Sequence, residues 1–217
     1  MAWTGSAGYS WNNQLFVSAD YSRKSNGMTR FFYQPDTNGI LYMTTLNMSS
    51  VENAHLEISA SCNLFKWWIS EGSVAAIYSR YRSKIAGEGI DNQSLNFRAD
   101  FTETFLLAGG WKLQVSGWYQ TKRYYGVMLF APNGSADAGI SRSFFNNNLQ
   151  FSLTASDIFH TQLMKNTISM SNSSMSITHT PDTRSVSVRL RYNFGNTKAA
   201  RKPRFKSGAD ELKQRAG

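Results

Sequence analysis

The stretch Ser185-Val-Ser-Val-Arg-Leu-Arg-Tyr-Asn-Phe194 decides the fold. Apolar and polar residues alternate through it without a break. Val186, Val188, Leu190, Tyr192 and Phe194 fall on one side; Ser185, Ser187, Arg189, Arg191 and Asn193 fall on the other. A period of two belongs to a β-strand, whose successive side chains point to opposite faces. A strand of this kind has two possible settings. In a soluble sandwich its apolar face meets a core and its polar face meets water, whereas in a membrane barrel the apolar face meets lipid and the polar face lines the lumen.

Working outward, the same design recurs along most of the chain. Leu15, Val17, Ala19 and Tyr21 alternate with Phe16, Ser18, Asp20 and Ser22; Leu56, Ile58, Ala60, Cys62 and Leu64 alternate with His55, Glu57, Ser59, Ser61 and Asn63. Leu95, Phe97, Ala99 and Phe101 stand against Asn96, Arg98, Asp100 and Thr102. Leu113, Val115, Gly117 and Tyr119 stand against Lys112, Gln114, Ser116 and Trp118, and Leu149, Phe151, Leu153 and Ala155 against Gln150, Ser152, Thr154 and Ser156. Glu103 and the segment Ser70–Ile77 break the rule.

Connections of two kinds separate these segments. Asn63–Lys66, Ala108–Gly110 and Asn146–Asn148 are compact and carry the Gly or Asn that tight hairpins need for positive φ. Gln34–Gly39, Gly87–Gln93, Pro132–Ser135 and Thr161–Asp182 are longer or richer in Gly, Asn, Ser and Pro and read as loops. Short and long connections in alternation predict antiparallel up-and-down strands with two unlike ends. About eight are expected, over 13–33, 40–64, 67–86, 93–108, 111–130, 136–145, 149–164 and 183–194. Several exceed the roughly 9–11 residues of a tilted membrane-spanning strand, and are long for a soluble sandwich, where about 5–6 is usual.

Composition agrees. With 41% hydrophobic, 14% aromatic and 17% charged residues the chain is too apolar for a disordered protein. A single cysteine, Cys62, excludes an intramolecular disulfide framework and a cysteine-rich metal site. The longest apolar runs, such as Tyr124–Ala131, fall short of the roughly 20 residues of a membrane-crossing helix, so a membrane role requires a β-barrel. Met1–Ser10 lacks the basic and apolar regions of a secretory signal, which leaves a cytosolic protein or an incomplete chain; with a strand pattern already under way from Ser10, the incomplete chain is favoured.

Aromatic residues cluster where the short turns fall. Trp67 and Trp68 follow one turn, Trp111 follows another, and Tyr192 and Phe194 close the last strand, as in an interfacial girdle. From Asn196 onward the composition changes, with seven basic residues against two acidic ones, an excess of +5 within a total of +9. This splits the chain into strands over 1–195 and a basic, disordered tail over 196–217. Lacking a platform of interleaved aromatics, the tail does not predict nucleic-acid binding.

In these residues the chain resembles the C-terminal part of outer-membrane β-barrel proteins of the TonB-dependent receptor type, in the form common in Bacteroidetes. Asn47 with Ala54-His-Leu-Glu57-Ile-Ser is similar to a descending strand of that family, with His55 where Gly is usual. Lys66-Trp-Trp68 resembles its periplasmic-turn motif, Gly110–Tyr119 the next rising strand, and Asp137–Phe144 with Leu149–Phe159 its penultimate hairpin. Arg184–Gly195 resembles the closing strand, and the basic tail with Gly208–Arg215 also occurs in the family. The resemblance implies an all-β, antiparallel up-and-down transmembrane barrel of which these strands are the closing part. It further implies an importer whose signal peptide and plug lie outside this sequence, and a periplasmic tail. The partners it implies are outer-membrane lipid, the barrel-assembly machinery, and the plug and energy-coupling protein of a longer chain. Val186, Val188, Leu190, Tyr192 and Phe194 then resemble the strand by which the assembly machinery recognises clients.

Candidate chemistry is sparse. Arg98, Asp100, Arg189 and Arg191 are predicted to point into the lumen. His55, His160 and His179 stand far apart in sequence and read as polar lumen or loop residues, not metal ligands. Asp157 is a candidate cross-strand partner of Arg184. No Gly-x-Ser-x-Gly, His-Glu-x-x-His, P-loop or paired-carboxylate pattern stands out, so neither an enzyme nor a cofactor is expected. Two other readings stay open: a free-standing eight-stranded barrel with a structural or adhesive role, and a soluble β-sandwich binding module. A small outer-membrane hydrolase is a weaker one.

Overall fold

The computed structural model describes residues 1–33, 42–85, 88–169 and 174–194. The expected tail, 196–217, and the loop Gln34–Gly39 lie outside them. Nine strands form one antiparallel sheet: β1 (Ala2–Trp11), β2 (Leu15–Lys24), β5 (Ser50–Phe65), β6 (Trp68–Ile85), β7 (Glu88–Leu106), β8 (Trp111–Gln120), β11 (Asn133–Phe144), β12 (Leu149–Ser156) and β15 (Ser185–Tyr192), in that spatial order. β3 (Gly27–Tyr33) and β4 (Tyr42–Met48) form a separate hairpin. β9 (Arg123–Tyr125), β10 (Met128–Phe130), β13 (Met164–Ser169) and β14 (Ser174–His179) form a second, four-stranded sheet ordered β14-β13-β10-β9.

The count of eight is corrected to nine, because Ala2–Trp11 is itself a strand, paired with β2 from Ala2↔Lys24 to Trp11↔Leu15. Its alternation runs Trp3, Ala7, Tyr9, Trp11, but Gly5 and Gly8 dilute the pattern. The turn that joins it to β2 is set by Asn12 and Asn13, both at positive φ (51° and 53°), which Asn adopts at lower cost than most residues. Phe145, Asn146 and Asn147 (φ 52°, 52° and 69°) turn β11 into β12, and Gly109 and Gly110 (φ 71° and 78°) turn β7 into β8. These turns and the one at Lys66–Trp67 share one end of the sheet.

At the other end several expected boundaries move. Glu88–Gln93, expected as loop, belongs to β7, which pairs with β6 from Ile85↔Glu88 to Trp68↔Phe105. Asn133–Ser135 opens β11, and Thr161–Asp182 contains β13 and β14. Four of the expected long strands are interrupted: 13–33 near Asn26 (φ 60°), 40–64 at Ser49, 111–130 beyond Gln120 and 149–164 beyond Ser156. The physical reason is burial. Met48, Tyr81, Val127, Met128 and Ile168 form the buried apolar cluster, with Val51, Ile90, Tyr124, Phe130, Met175 and Ile177 packed against it, so the chain leaves the sheet to fold over its loop end.

Register fixes which face this small core covers. The row Val51↔Tyr81↔Asn92 and its continuation Ser79↔Ser94 belong to the polar face. Asn92 Nδ2 donates to the Gly126 carbonyl at 3.1 Å, and the Tyr124 N–H donates to Ser94 Oγ at 3.0 Å. The four-stranded sheet is therefore a cap on the polar face. No layer among the described residues covers the apolar face, which is the reverse of a soluble sandwich.

Asp157, only 1% exposed and at φ 45°, pins the cap to the sheet. It accepts from the Thr161 N–H (2.9 Å), the Gln162 N–H (3.3 Å) and the Thr183 hydroxyl, while Thr161 Oγ1 donates to the Gly134 carbonyl at 3.0 Å. Its partner is thus Thr183 and not the expected Arg184, because a buried carboxylate at a turn is met by short hydroxyl and amide donors. Burial alone pushes this carboxyl up; the Thr183, Thr161 and Gln162 donors, with His160 nearby, outweigh it and hold it below the ordinary aspartate range. Its contribution is present above the unfolded-state value and is lost as pH falls through the lowered one. Asp157→Asn is expected to raise hydrogen exchange at 123–130, 164–169 and 174–179 at neutral pH, and to flatten the acid-side dependence of that protection.

A second constraint sits on the apolar face in the row Gly72↔Phe101↔Gly117. A Cβ on Gly117 would stand 2.8 Å from the Ser135 carbonyl oxygen and 2.9 Å from the Phe101 ring, so the ring lies where a side chain would be. Gly117→Val is expected to cost about 1–3 kcal/mol by overpacking, read as a lower unfolding midpoint in detergent.

Candidate membrane interface and polar face

Pairing carries each alternation across the whole sheet. From β1 to β15 one face presents rows such as Tyr9↔Val17↔Ile58↔Val74↔Ala99↔Tyr119 and Ile140↔Leu153↔Val188. Its side chains are open: Val74 is 58%, Leu95 58% and Val188 64% exposed. At about 25 cal/mol per Å², leaving so many large apolar groups in water is untenable for a folded chain, and a hydrocarbon solvent removes the cost.

Aromatic rings mark the two limits of this face. At the short-turn end Phe65, Trp67, Trp68 and Phe105 stack with centroids 5.6–6.2 Å apart, and Trp111 meets Phe144 and Phe151 edge-on at 6.4 and 6.2 Å. Arg142 lies over Trp111 and Phe144 at 5.4 and 4.7 Å, where its charge is held by ring faces. Toward the loop end stand Trp3, Tyr21, Tyr78 and Tyr119 on the same face. Trp68 and Tyr78 are ten residues apart on β6, about 34 Å of strand, which at a tilt of about 40° projects to roughly 25 Å, the height of a barrel's apolar band.

Glu103, which breaks the alternation, projects from the apolar face inside the lower aromatic row. There it accepts from Trp68 Nε1 and from Ser70 Oγ (2.8 Å), so its carboxylate is hydrogen-bonded on both oxygens. Ser70–Ile77, the other irregularity, is continuous strand. Gly72, Val74 and Ala76 share the apolar side, and the small Ala75 with Ile77 sits among polar neighbours.

The opposite face is hydroxyl-rich and charged. Arg98 and Asp100 lie on it and pair with each other at 2.8 and 2.6 Å, with the Arg98 guanidinium 4.9 Å from the Trp118 ring. Arg189 and Arg191 lie on the same face at the edge, and Arg191 Nε donates to Asn193 at 3.2 Å. Asn96, 1% exposed, donates to the Ile77 carbonyl and accepts from Gln120, both at 3.0 Å. A concavity of about 720 Å³ opens on this face, bordered by Glu57, Glu71, Asp100, Asp137 and Trp118. His55 stands between Asp20 (3.6 Å) and Glu57 (3.8 Å), His160 lies in the Asp157 turn, and His179 ends β14; the three are not brought together. The interfacial candidates Trp67, Trp68 and Trp111 gather in the lower aromatic row.

Val186, Val188, Leu190 and Tyr192 share the apolar face of β15, and Phe194, 89% exposed, follows the strand and meets Tyr192 edge-on at 4.6 Å. Among the described residues β15 pairs only with β12, and β1 only with β2. The two face opposition is tested by neighbouring residues. Val74→Arg, mid-band on the apolar face, is expected to destabilise the membrane-inserted chain by about 2–4 kcal/mol, whereas Ser73→Arg on the polar face is expected to change little, as read by folding into lipid vesicles.

A family model described as outer membrane protein beta-barrel family matches residues 5–192. No curated protein and no solved structure matches the chain.

Proposed function

This chain belongs to the outer membrane protein beta-barrel family, and from that membership we propose that it forms the closing part of a larger, TonB-dependent-receptor-like import barrel. The observation that carries the proposal is the pair of open edges. Nine antiparallel strands put β1 and β15 in the same direction, so these two edges cannot close on each other in an antiparallel ladder. Single-chain bacterial barrels use even strand numbers, and hydrocarbon tolerates no unpaired backbone edge. Further strands supplied N-terminal to β1 would satisfy both edges at once, and the same argument weighs against a free-standing eight-stranded barrel.

In such a barrel the hydroxyl- and carboxylate-lined face bounds a hydrated lumen, the loop-end cap faces outward, and the basic tail is periplasmic. The alternating apolar residues of β15, from Val186 to Tyr192 with Phe194 beyond, offer a ready edge to the assembly machinery while it awaits closure. The test is a refolding gel with and without boiling, on residues 1–217 alone and on the same chain extended upstream in its reading frame. The extended form is expected to give a heat-modifiable monomer and the chain alone to aggregate or oligomerise through its edges; a monomeric, heat-modifiable band from residues 1–217 alone would overturn the proposal.

A further inference from the structure

Beyond the upper aromatic row, the apolar face turns abruptly charged. Arg23 lies two residues past Tyr21 on β2, and Arg80, Arg82 and Lys84 follow Tyr78 on β6, all on the apolar side by register. Glu52 of β5 and Asp91 of β7 oppose them. Four cations thus face two carboxylates just outside the apolar band.

The two carboxylates are used differently. Asp91 forms a bidentate pair with Arg80, at 2.7 and 2.6 Å, and neutralises it. Glu52 is shared. Arg82 Nη2 bonds its Oε1, while Arg23 Nε reaches the same oxygen only at 3.5 Å, with the Arg23 side chain 53% exposed. Arg82 Nε is buried and has no hydrogen-bond partner among the described residues. One carboxylate between two guanidiniums leaves an excess positive charge, an unmet donor and one loosely held arm. These are the requirements of an oxyanion with several acceptor oxygens, and a phosphate meets them because it can bridge two guanidiniums.

We propose that Arg23 and Arg82, spaced by Glu52, bind the phosphate of a lipid headgroup in the leaflet at the loop end. The proposal rests on the outer-membrane reading, which places these side chains on the lipid-facing side at headgroup height. A lipid is favoured over a free anion because the site adjoins the apolar band: acyl chains would lie along Tyr21, Ala54 and Leu56 while the phosphate meets the arginines.

The experiment uses the chain extended upstream in its reading frame, folded in detergent micelles with insertion checked by heat-modifiable migration, and titrated with phosphorylated lipid A, dephosphorylated lipid A and inorganic phosphate. The phosphorylated lipid is expected to bind most tightly. Arg23→Gln with Arg82→Gln is expected to weaken it by at least about tenfold, the scale of losing charged hydrogen bonds. Glu52→Gln is expected to retain or tighten binding by freeing both guanidiniums, and Lys112→Gln, which removes a positive charge from the polar face, to leave it unaltered. Equal binding of the dephosphorylated lipid, inorganic phosphate binding as tightly as the lipid, or an unaffected double variant would each overturn the headgroup site. A chain that never inserts under any lipid condition would instead overturn the membrane reading beneath it.

Discussion

Everything in this structure depends on the backbone ladder of one antiparallel sheet, because it carries a period of two across nine strands, with a shift in the β5–β6 register only at the short-turn end between Asn63 and Phe65. A slip of one residue anywhere would send apolar side chains to the polar face and serines to the apolar one. The ladder also satisfies the peptide groups that hydrocarbon would leave unpaired. The faces are therefore products of pairing, and the contrast between Val74 and Ser73 holds only while β5, β6 and β7 stay in step.

What little buried core exists is displaced from where a soluble protein keeps it. Met48, Tyr81, Val127, Met128 and Ile168 lie beneath the loop-end cap, on the polar side, and the cap is joined to the sheet by the Asp157 turn and by hydrogen bonds to Asn92 and Ser94. Water excluded there is excluded locally. The rest of the polar face keeps its hydroxyls and its Arg98–Asp100 pair open toward the concavity. Stability is thus divided between the ladder and a compact cap at its loop end.

Charges on the apolar face occur only where the surroundings can hold them. Glu103 is met by the Trp68 indole and Ser70 at the lower aromatic row, and Arg142 by the rings of Trp111 and Phe144. Above the tyrosines, Arg23, Arg80 and Arg82 share Glu52 and Asp91. Between these limits the face presents Val74, Ala76, Leu95, Phe97 and Ala99, so the charged rows delimit the span as clearly as the aromatic ones.

By itself the sequence determined the two-faced strand, the antiparallel meander and the end at which Trp67, Trp68 and Trp111 gather, because these follow from local alternation and turn residues. It also placed Arg98, Asp100, Arg189 and Arg191 on the polar side of their strands, since parity alone assigns a face. The tertiary structure decided the rest. β1 emerged only through its pairing with β2, since Gly5 and Gly8 blur its pattern. The breaks beyond Gln120 and Ser156 reflect burial of Met128 and Ile168 against Tyr81, contacts between segments tens of residues apart that no local period encodes. Glu103 reads as an error until Trp68 stands beside it, and Asp157 finds Thr183, not Arg184, because burial at a turn selects donors by reach. The shared Glu52 likewise exists only after β2 and β6 are laid on either side of β5. Local pattern sets which way a side chain points; only the folded sheet sets what it meets.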